Sequence, residues 1–425
     1  MIKLFIKNKR SAKKAQIDMQ FNWIFVIIIG AVLLGFFFTA IMSASKSSDQ
    51  KISVSLAKHF ETIIFSSGQK SGTLKTYQTP PVTLYFNCDD EQGLYNYYVG
   101  DLKARDTKYD LIFAPDSLTG NSVITWTQKW KVPYSVGTFM YITNEDTLFI
   151  FNQGDGPMSA PLKKILADFP SNLSTYIINN SNDPPTEDFN FKQYVYVVVV
   201  DNGAVASDFL LDQTEMIQPK EGDHTVSLVV IHPNDDSNVF GYGDVFYPSL
   251  TGGFFSLDSF ILLDSTSSSG VGSLSSALPQ INSALSAGGG VRQNPTGGSS
   301  SSGRRIIQSG YLGKASLYGA IFSTSRESYE CTMKKAFHKL TLLTILQQNK
   351  IDSVASSVSY NCKDNLGLID VPGPKQTLED IEHFIYDGLA VDFDYRTIPN
   401  IYDLGLKLQR ENDNLQMIGT CPVIY

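Results

Sequence analysis

A mixed α/β body behind a membrane-spanning N-terminal helix, closed by a helical C-terminal region, is the fold class this 425-residue chain predicts. Three observations predict it. Phe21 to Met42 is an unbroken run of 22 uncharged, mostly apolar residues. At about 1.5 Å per residue, it crosses the roughly 30 Å hydrocarbon core of a bilayer once. From Val82 to Leu263, short β-branched and aromatic runs are bounded by Gly, Asp, Asn or Pro, as strands are. After Arg326, apolar residues recur at helical spacing.

Residues 1–20 form a basic tail, with Lys3, Lys7, Lys9, Arg10, Lys13 and Lys14 opposed by Asp18. The far flank of the span is mild (Lys46, Asp49, Lys51), so the positive-inside rule puts the tail in the cytoplasm and the large C-terminal part outside the cell. With the tail at +5 and the whole chain at −8, the remainder carries −13. An acidic body argues against nucleic acid as a partner, which wants a basic face; the bilayer is the partner the span implies. The apolar run exceeds the core of a cleaved secretory signal, and Ser43-Ala44-Ser45 is only a partial cleavage signature, so the span over 21–42 is read as an uncleaved anchor.

Ile52, Leu56, Phe60 and Ile63 continue the helix outward as an amphipathic stalk over 43–66. An α/β ectodomain over 67–264 follows. Its expected strands are Val82–Phe86, Tyr95–Val99, Asp110–Phe113, Phe139–Ile142, Thr147–Phe151, Tyr194–Val200, Thr225–Ile231, Val245–Tyr247 and Phe260–Leu263. Tyr194–Val200 and Thr225–Ile231 are continuously apolar, which suits strands of a central sheet buried on both faces. Pro161–Phe169 reads as a short helix with Pro in its first turn. Residues 265–303 hold 21 Ser or Gly among 39, with Arg292 the one charge, the composition of a flexible insertion that cannot offset its ordering entropy. Residues 304–425 supply a last strand, Ala315–Phe322, and three helices. The first, Arg326–Gln348, buries Met333, Phe337, Leu340 and Leu343, with Leu342, Ile345 and Leu346 widening the face. The second is capped by Thr377, with Leu378, Ile381, Ile385 and Leu389 inward. The third turns Ile401, Leu404, Leu408 and Leu415 inward.

Four cysteines, Cys88, Cys331, Cys362 and Cys421, form no CxxC pair, so a zinc cage is not expected. Outside the cytoplasm disulfides are permitted. Of three connectivities, Cys331–Cys362 with Cys88–Cys421 is favoured, the first bridging a helical segment and the second tying down the tail. Asn172 (Asn-Leu-Ser) and Asn179 (Asn-Asn-Ser) match the N-glycosylation acceptor pattern.

No reaction is declared. Gly313-Lys314-Ala315-Ser316 ends like a phosphate loop but has Gln308 where the first glycine belongs, and no G-x-S-x-G elbow exists. The five histidines, His59, His224, His232, His338 and His383, make no zinc motif. His232 stands at a strand end before a Pro-Asn-Asp-Asp turn, where the turn alone explains the residues. Asn234, Asp235, Asp236 and Asn238 lack the EF-hand order, and Asp392 with Asp394 reads as solvated surface rather than a hydrolytic carboxylate pair. Trp126, Trp130 and Tyr134 cluster beside Lys129 and Lys131. They either pin a loop onto the core or offer a carbohydrate or partner patch. No catalytic, cofactor or metal residue is assigned.

Several segments resemble single-span, membrane-anchored envelope proteins of small-genome archaea: Lys-Lys-Ala-Gln at 13–16 leading to Phe21-Asn22-Trp23-Ile24-Phe25, Trp-Lys-Val-Pro-Tyr-Ser-Val at 130–136, Gly-Lys-Ala-Ser-Leu-Tyr-Gly-Ala-Ile-Phe at 313–322, Tyr-Glu-Cys-Thr-Met-Lys-Lys-Ala at 329–336 and the closing Cys-Pro-Val-Ile-Tyr. The resemblance spans most of the chain and implies location and architecture, with no assigned chemistry. Lys13-Lys14-Ala15-Gln16 also looks like an archaeal pilin-type processing site, although Asp18, Gln20 and Asn22 delay the apolar helix and the usual early acidic residue has no clear counterpart.

The leading expectation is an envelope protein without catalysis, whose external body binds another envelope component or its own copies. A pilin-like filament subunit cleaved after Ala15 is the alternative. An extracytoplasmic hydrolase using His232 and Asp392 is the second.

Overall fold

A computed structural model describes residues 11–68, 70–89, 94–99, 105–106, 111–152, 158–178, 191–199, 225–233, 241–248, 306–368, 372–390, 393–419 and 421–425. Two compact units divide the chain, Met1–His59 and Phe60–Tyr425.

Helix α1 (Ser11–Gly68) provides the first unit and the opening turns of the second. Its stretch Ile24–Ser43, 20 residues of mean hydropathy 2.9, is long and apolar enough to cross a membrane, and none of it is buried. Leu34 is 72 % exposed and Ile41 67 %. Thr39 returns its hydroxyl to the Gly35 carbonyl at 2.8 Å, which satisfies the polar group inside the apolar run. The helix does continue past the span to Gly68; of the expected stalk positions, Phe60 is buried and Ile63 half-buried, while the side chains of Ile52 and Leu56 lie outside the described residues.

Among the described residues, the second unit holds two six-stranded sheets rather than one central sheet. The first runs in the order β3-β2-β1-β5-β6-β4: β1 (Leu74–Asp89), β2 (Leu94–Val99), β3 (Arg105–Asp106), β4 (Ile112–Phe113), β5 (Ser117–Lys131) and β6 (Ser135–Thr143). It is antiparallel except for β4 beside β6. The second runs β12-β11-β10-β9-β7-β8: β7 (Thr147–Asn152), β8 (Thr175–Ile178), β9 (Gln193–Val199), β10 (Thr225–Pro233), β11 (Tyr242–Pro248) and β12 (Ile306–Leu312). β7 to β10 are mutually parallel, and β11 and β12 antiparallel. As their unbroken apolar patterns require, Val195, Val197, Val229 and Ile231 face one core, and Tyr196, Val198, Leu228 and Val230 the other. Helix α2 (Ala160–Asp168) makes the crossover from β7 to β8. The Ser159 hydroxyl caps it by accepting from Leu162 N, and Pro161 occupies its first turn. The expected strand Phe260–Leu263 and the insertion 265–303 lie outside the described residues.

Ala315–Phe322 is helical, not a strand: α3 (Gly313–Ser323) carries it, with every residue from Ala315 to Ser323 buried. A segment apolar on all sides has no face to betray its period, and Gly319 and Ala320 are poor strand formers. Buried phenols tie α3 and its neighbours to backbone carbonyls: Tyr141 to Ala315 at 2.7 Å, Tyr318 to Ile165 at 2.9 Å and Tyr329 to Gly310 at 2.9 Å. Among the described residues, the last strand is β12 instead.

Helix α4 (Arg326–Val354) buries Met333, Phe337 and Leu340 as expected, but Leu342 and Leu346 are 51 % and 60 % exposed, so the apolar face is narrower than the sequence suggests. After α5 (Tyr360–Asn365), α6 (Pro374–Phe384) is capped at Gly373, with Pro374 in its first turn. Thr377 therefore sits inside the helix, bonding back to the Gly373 carbonyl at 3.4 Å. Leu378, Ile381, Ile385 and Leu389 are fully buried, the last two on a π-turn at Ile385–Leu389. Helix α7 (Ile398–Ile418) buries Ile401, Leu408 and Leu415 and ends at Gly419 with φ +68°.

The disulfides join Cys88 to Cys331 (Cα–Cα 6.0 Å) and Cys362 to Cys421 (5.5 Å), which corrects the expected pairing. The length of α4 is the reason. From residue 331 to its end at 354 the helix rises about 35 Å, so Cys331 and Cys362 stand far apart. The C-terminal tail instead lies beside α4 and α7, where Lys350 Nζ donates to the Ile424 carbonyl at 2.6 Å and Ile424 N to Asn412 Oδ1 at 2.8 Å.

On β11, burial pushes the Asp244 carboxyl up to about 6, with the Gln308 hydrogen bond partly opposing the rise. A raised folded-state value means that the stability this acid contributes is fully present below its ordinary value of 3.8 and is lost as pH rises through about 6. Asp244→Asn keeps the shape and removes the charge. Thermal unfolding should therefore show the variant more stable than the parent at pH 7 and equal to it near pH 3.5. A variant less stable at pH 7 would show that the charged form is stabilised there.

Candidate functional site

An opening in the second unit lies where strands β1 and β2 of the first sheet meet the start of α4. In the antiparallel register, Tyr85 stands opposite Tyr98 on β2 and Ser117 on β5, while Asn87 faces Asn96 and Thr83 faces Thr119. Strand alternation sends Leu84, Phe86, Tyr97, Val99 and Leu118 inward, all buried. Phe60 and Ile64 at the end of α1 are buried too, and the Phe60 ring lies 5.0 Å from that of Tyr97. The opposite face is left polar and aromatic. Tyr85 is 46 % exposed, and the Thr83 and Thr119 hydroxyls bond each other at 2.9 Å.

A cleft of about 580 Å³ is lined by β1 from Tyr85 to Cys88, by Tyr98 of β2, by Asp116, and by Ser325, Glu327 and Ser328 at the start of α4. A second depression of about 460 Å³, lined by Val82, Thr83, Thr119 and Lys192, shares the Tyr85 ring. The α4 wall is locally determined. Thr324 turns the chain at φ +54°, and Ser325 caps the helix by accepting from Ser328 N while donating to Asp116 Oδ1 at 3.1 Å. Ser328 donates to the Ala114 carbonyl at 3.3 Å, and Glu327 takes the first-turn position that the helix dipole favours for an acid. Below, Cys88–Cys331 fastens β1 to α4. Burial raises the Asp116 carboxyl above its ordinary value, Ser325 opposes the rise, and Glu327 adds to it. Lys192 at the far end is paired with Asp146 at 3.3 Å. The lining thus combines two tyrosines with hydroxyl, amide and carboxylate groups. Among the described residues, no group of three or more His, Cys, Asp or Glu could hold a metal ion.

The residues singled out from the sequence fall elsewhere. Trp126, Trp130 and Tyr134 are 6 %, 1 % and 7 % exposed, so the expected partner patch is corrected to core. Trp126 packs on Tyr141 and Tyr318, the Trp130 indole donates to the Leu312 carbonyl at 2.8 Å, and the Tyr134 hydroxyl bonds that of Thr344 at 2.6 Å. The tryptophans sit within a strand, not a loop. Lys314, in the phosphate-loop-like segment, pairs with Asp168 at 2.7 Å. His232 lies within β10, opposite Asp244 in the register. Asp392 and residues 234–238 lie outside the described residues. Asp394 caps the turn Tyr395–Thr397 and holds Arg396, and Asp387 pairs with His383 at 3.0 Å. Asn172 is exposed in the turn after α2, and Asn179 lies outside the described residues. Tyr85, Tyr98 and Asp116 carried no signal in the sequence. Only the strand register brings them together.

No family model matches this chain, and neither the curated proteins nor the solved structures contain a match.

Proposed function

We propose that this chain is a membrane-anchored protein with its N-terminus in the cytoplasm and its second unit outside the cell, acting as a binding or assembly module of the envelope rather than as a catalyst. One observation carries it: the 20-residue apolar stretch of α1 is exposed along its whole length in a chain whose other unit buries its apolar residues in a continuous core. Two cystines in the described body and the basic tail ahead of the span support the orientation. The open, aromatic- and hydroxyl-lined cleft supports binding. Protease added to intact cells should digest the second unit and leave the tail, and alkaline carbonate should fail to strip the protein from membranes. A body cut only after lysis would invert the topology.

The continuity of α1 favours a second reading, a pilin-like filament subunit released after Ala15. An unbroken helix of 58 residues, about 87 Å long, could pack its apolar half against other copies. Intact-mass measurement separates the two: a mature chain starting at Gln16 supports the filament, one starting at Met1 or Ile2 the anchor.

A further inference from the structure

We infer that Asn172, in the turn that leads into β8, carries an N-linked glycan. The inference rests on the reading that the second unit lies outside the cytoplasm, and it adds a covalent group to that unit's surface. The chain holds two acceptor triplets, Asn172-Leu173-Ser174 and Asn179-Asn180-Ser181, while Asn294-Pro295-Thr296 is barred by its proline. The structure gives the first triplet a suitable setting. Helix α2 ends at Asp168, and Leu173 N donates to the Pro170 carbonyl at 3.1 Å, so Ser171 and Asn172 form the tip of a tight turn. Asn172 is exposed, whereas Leu173 is 5 % exposed and packs in the core, which pins the turn. Phe149 N donates to the Ser174 carbonyl at 3.0 Å and so fixes the third position of the triplet. A bulky polar group on the Asn172 amide therefore meets solvent without displacing a packed side chain.

Topology supplies a second argument. Among the described residues, β8 pairs with β7 alone and stands last in its sheet. Its four residues, Thr-Tyr-Ile-Ile, carry neither charge nor proline, the usual guards of a sheet edge. The two triplets flank this strand in sequence, one starting three residues before Thr175 and the other directly after Ile178. A bulky, solvated group beside such an edge disfavours its pairing with a second chain. In the transfer, Asn172 Nδ2 attacks the anomeric carbon of a lipid-linked sugar phosphate. The C–N bond forms as the C–O bond to phosphate breaks, the phosphate leaves with its lipid, and the nitrogen gives up one proton.

The test uses the full chain purified from the membranes of the organism that makes it. The tryptic peptide from Ile165 to Lys192 holds both triplets, so mass spectrometry with fragmentation that leaves glycans attached must assign the added mass. Sugar mass on Asn172 is expected. Asn172→Gln and Ser174→Ala should each lose it, and Ser174→Thr, which keeps the hydroxyl, should retain it. An unchanged circular dichroism spectrum of Asn172→Gln separates a lost glycan from a lost fold, since the side chain is exposed. A bare Asn172 overturns the proposal, as does sugar on Asn179 alone or mass at Asn172 that survives Ser174→Ala. If protease digests the second unit on intact cells while Asn172 is bare, the envelope reading stands and only the glycan goes. A body protected until lysis, with Asn172 bare, removes both.

Discussion

Trp130→Ala is expected to destabilise the second unit by about 4 kcal/mol, the range for deleting a fully buried large aromatic. The indole is 1 % exposed, stacks on Phe139 at 5.2 Å and meets Phe337 edge-on at 5.4 Å, so it joins the first sheet to α4. Its hydrogen bond to the Leu312 carbonyl is the smaller part. That carbonyl also accepts from the Ser316 hydroxyl at 2.6 Å, so losing the indole does not orphan it, and the bond itself is worth about 1 kcal/mol. The cavity therefore dominates. Trp130→Phe, which keeps most of the volume and loses the donor, should cost roughly half as much or less. Urea unfolding followed by circular dichroism checks both. An alanine variant within about 1 kcal/mol of the parent would mean that the neighbouring rings collapse into the space.

Much of the fold was legible because burial on both faces or on one leaves a periodic trace. β9 and β10 read as fully buried strands from unbroken Val and Ile. α4, α6 and α7 read as helices from stripes that the structure turns inward. Illegibility followed from the same physics. β5 contains Gly120-Asn121, a turn signal, and alternates Thr, Gln and Lys with its tryptophans, yet it lies between β1 and β6, which pair with its backbone along its length. α3 is buried all round, and such a segment shows no period at all.

The cleft was not legible because nothing local marks it. Trp126, Trp130 and Tyr134 drew notice as a cluster in sequence, whereas Tyr85 and Tyr98 lie on different strands and become neighbours only when Leu84 pairs with Val99. Asp116 and Ser325 are 209 positions apart. Composition alone does not tell an aromatic that fills a core from one that stands on an outward face; strand register decides it, and a slip by one residue would exchange Tyr85 for Leu84 or Phe86.

Mapping of non-reduced peptides should recover Cys88 linked to Cys331 and Cys362 linked to Cys421. The two crosslinks close loops of 243 and 59 residues, which in the chain-entropy account stabilise by roughly 5 and 4 kcal/mol. Replacing Cys88 and Cys331 together by serine should therefore cost several kcal/mol, slightly more than replacing the other pair, as read from denaturant midpoints. It should also loosen β1 from the start of α4 and so widen the cleft, an effect that the Cys362–Cys421 variant should not share. Recovery of a Cys331–Cys362 peptide would require α4 to break between those residues, which its buried Phe337, Leu340 and Thr344 oppose. Four free thiols in the native protein would tell against an oxidising compartment and hence against the orientation proposed for the anchor.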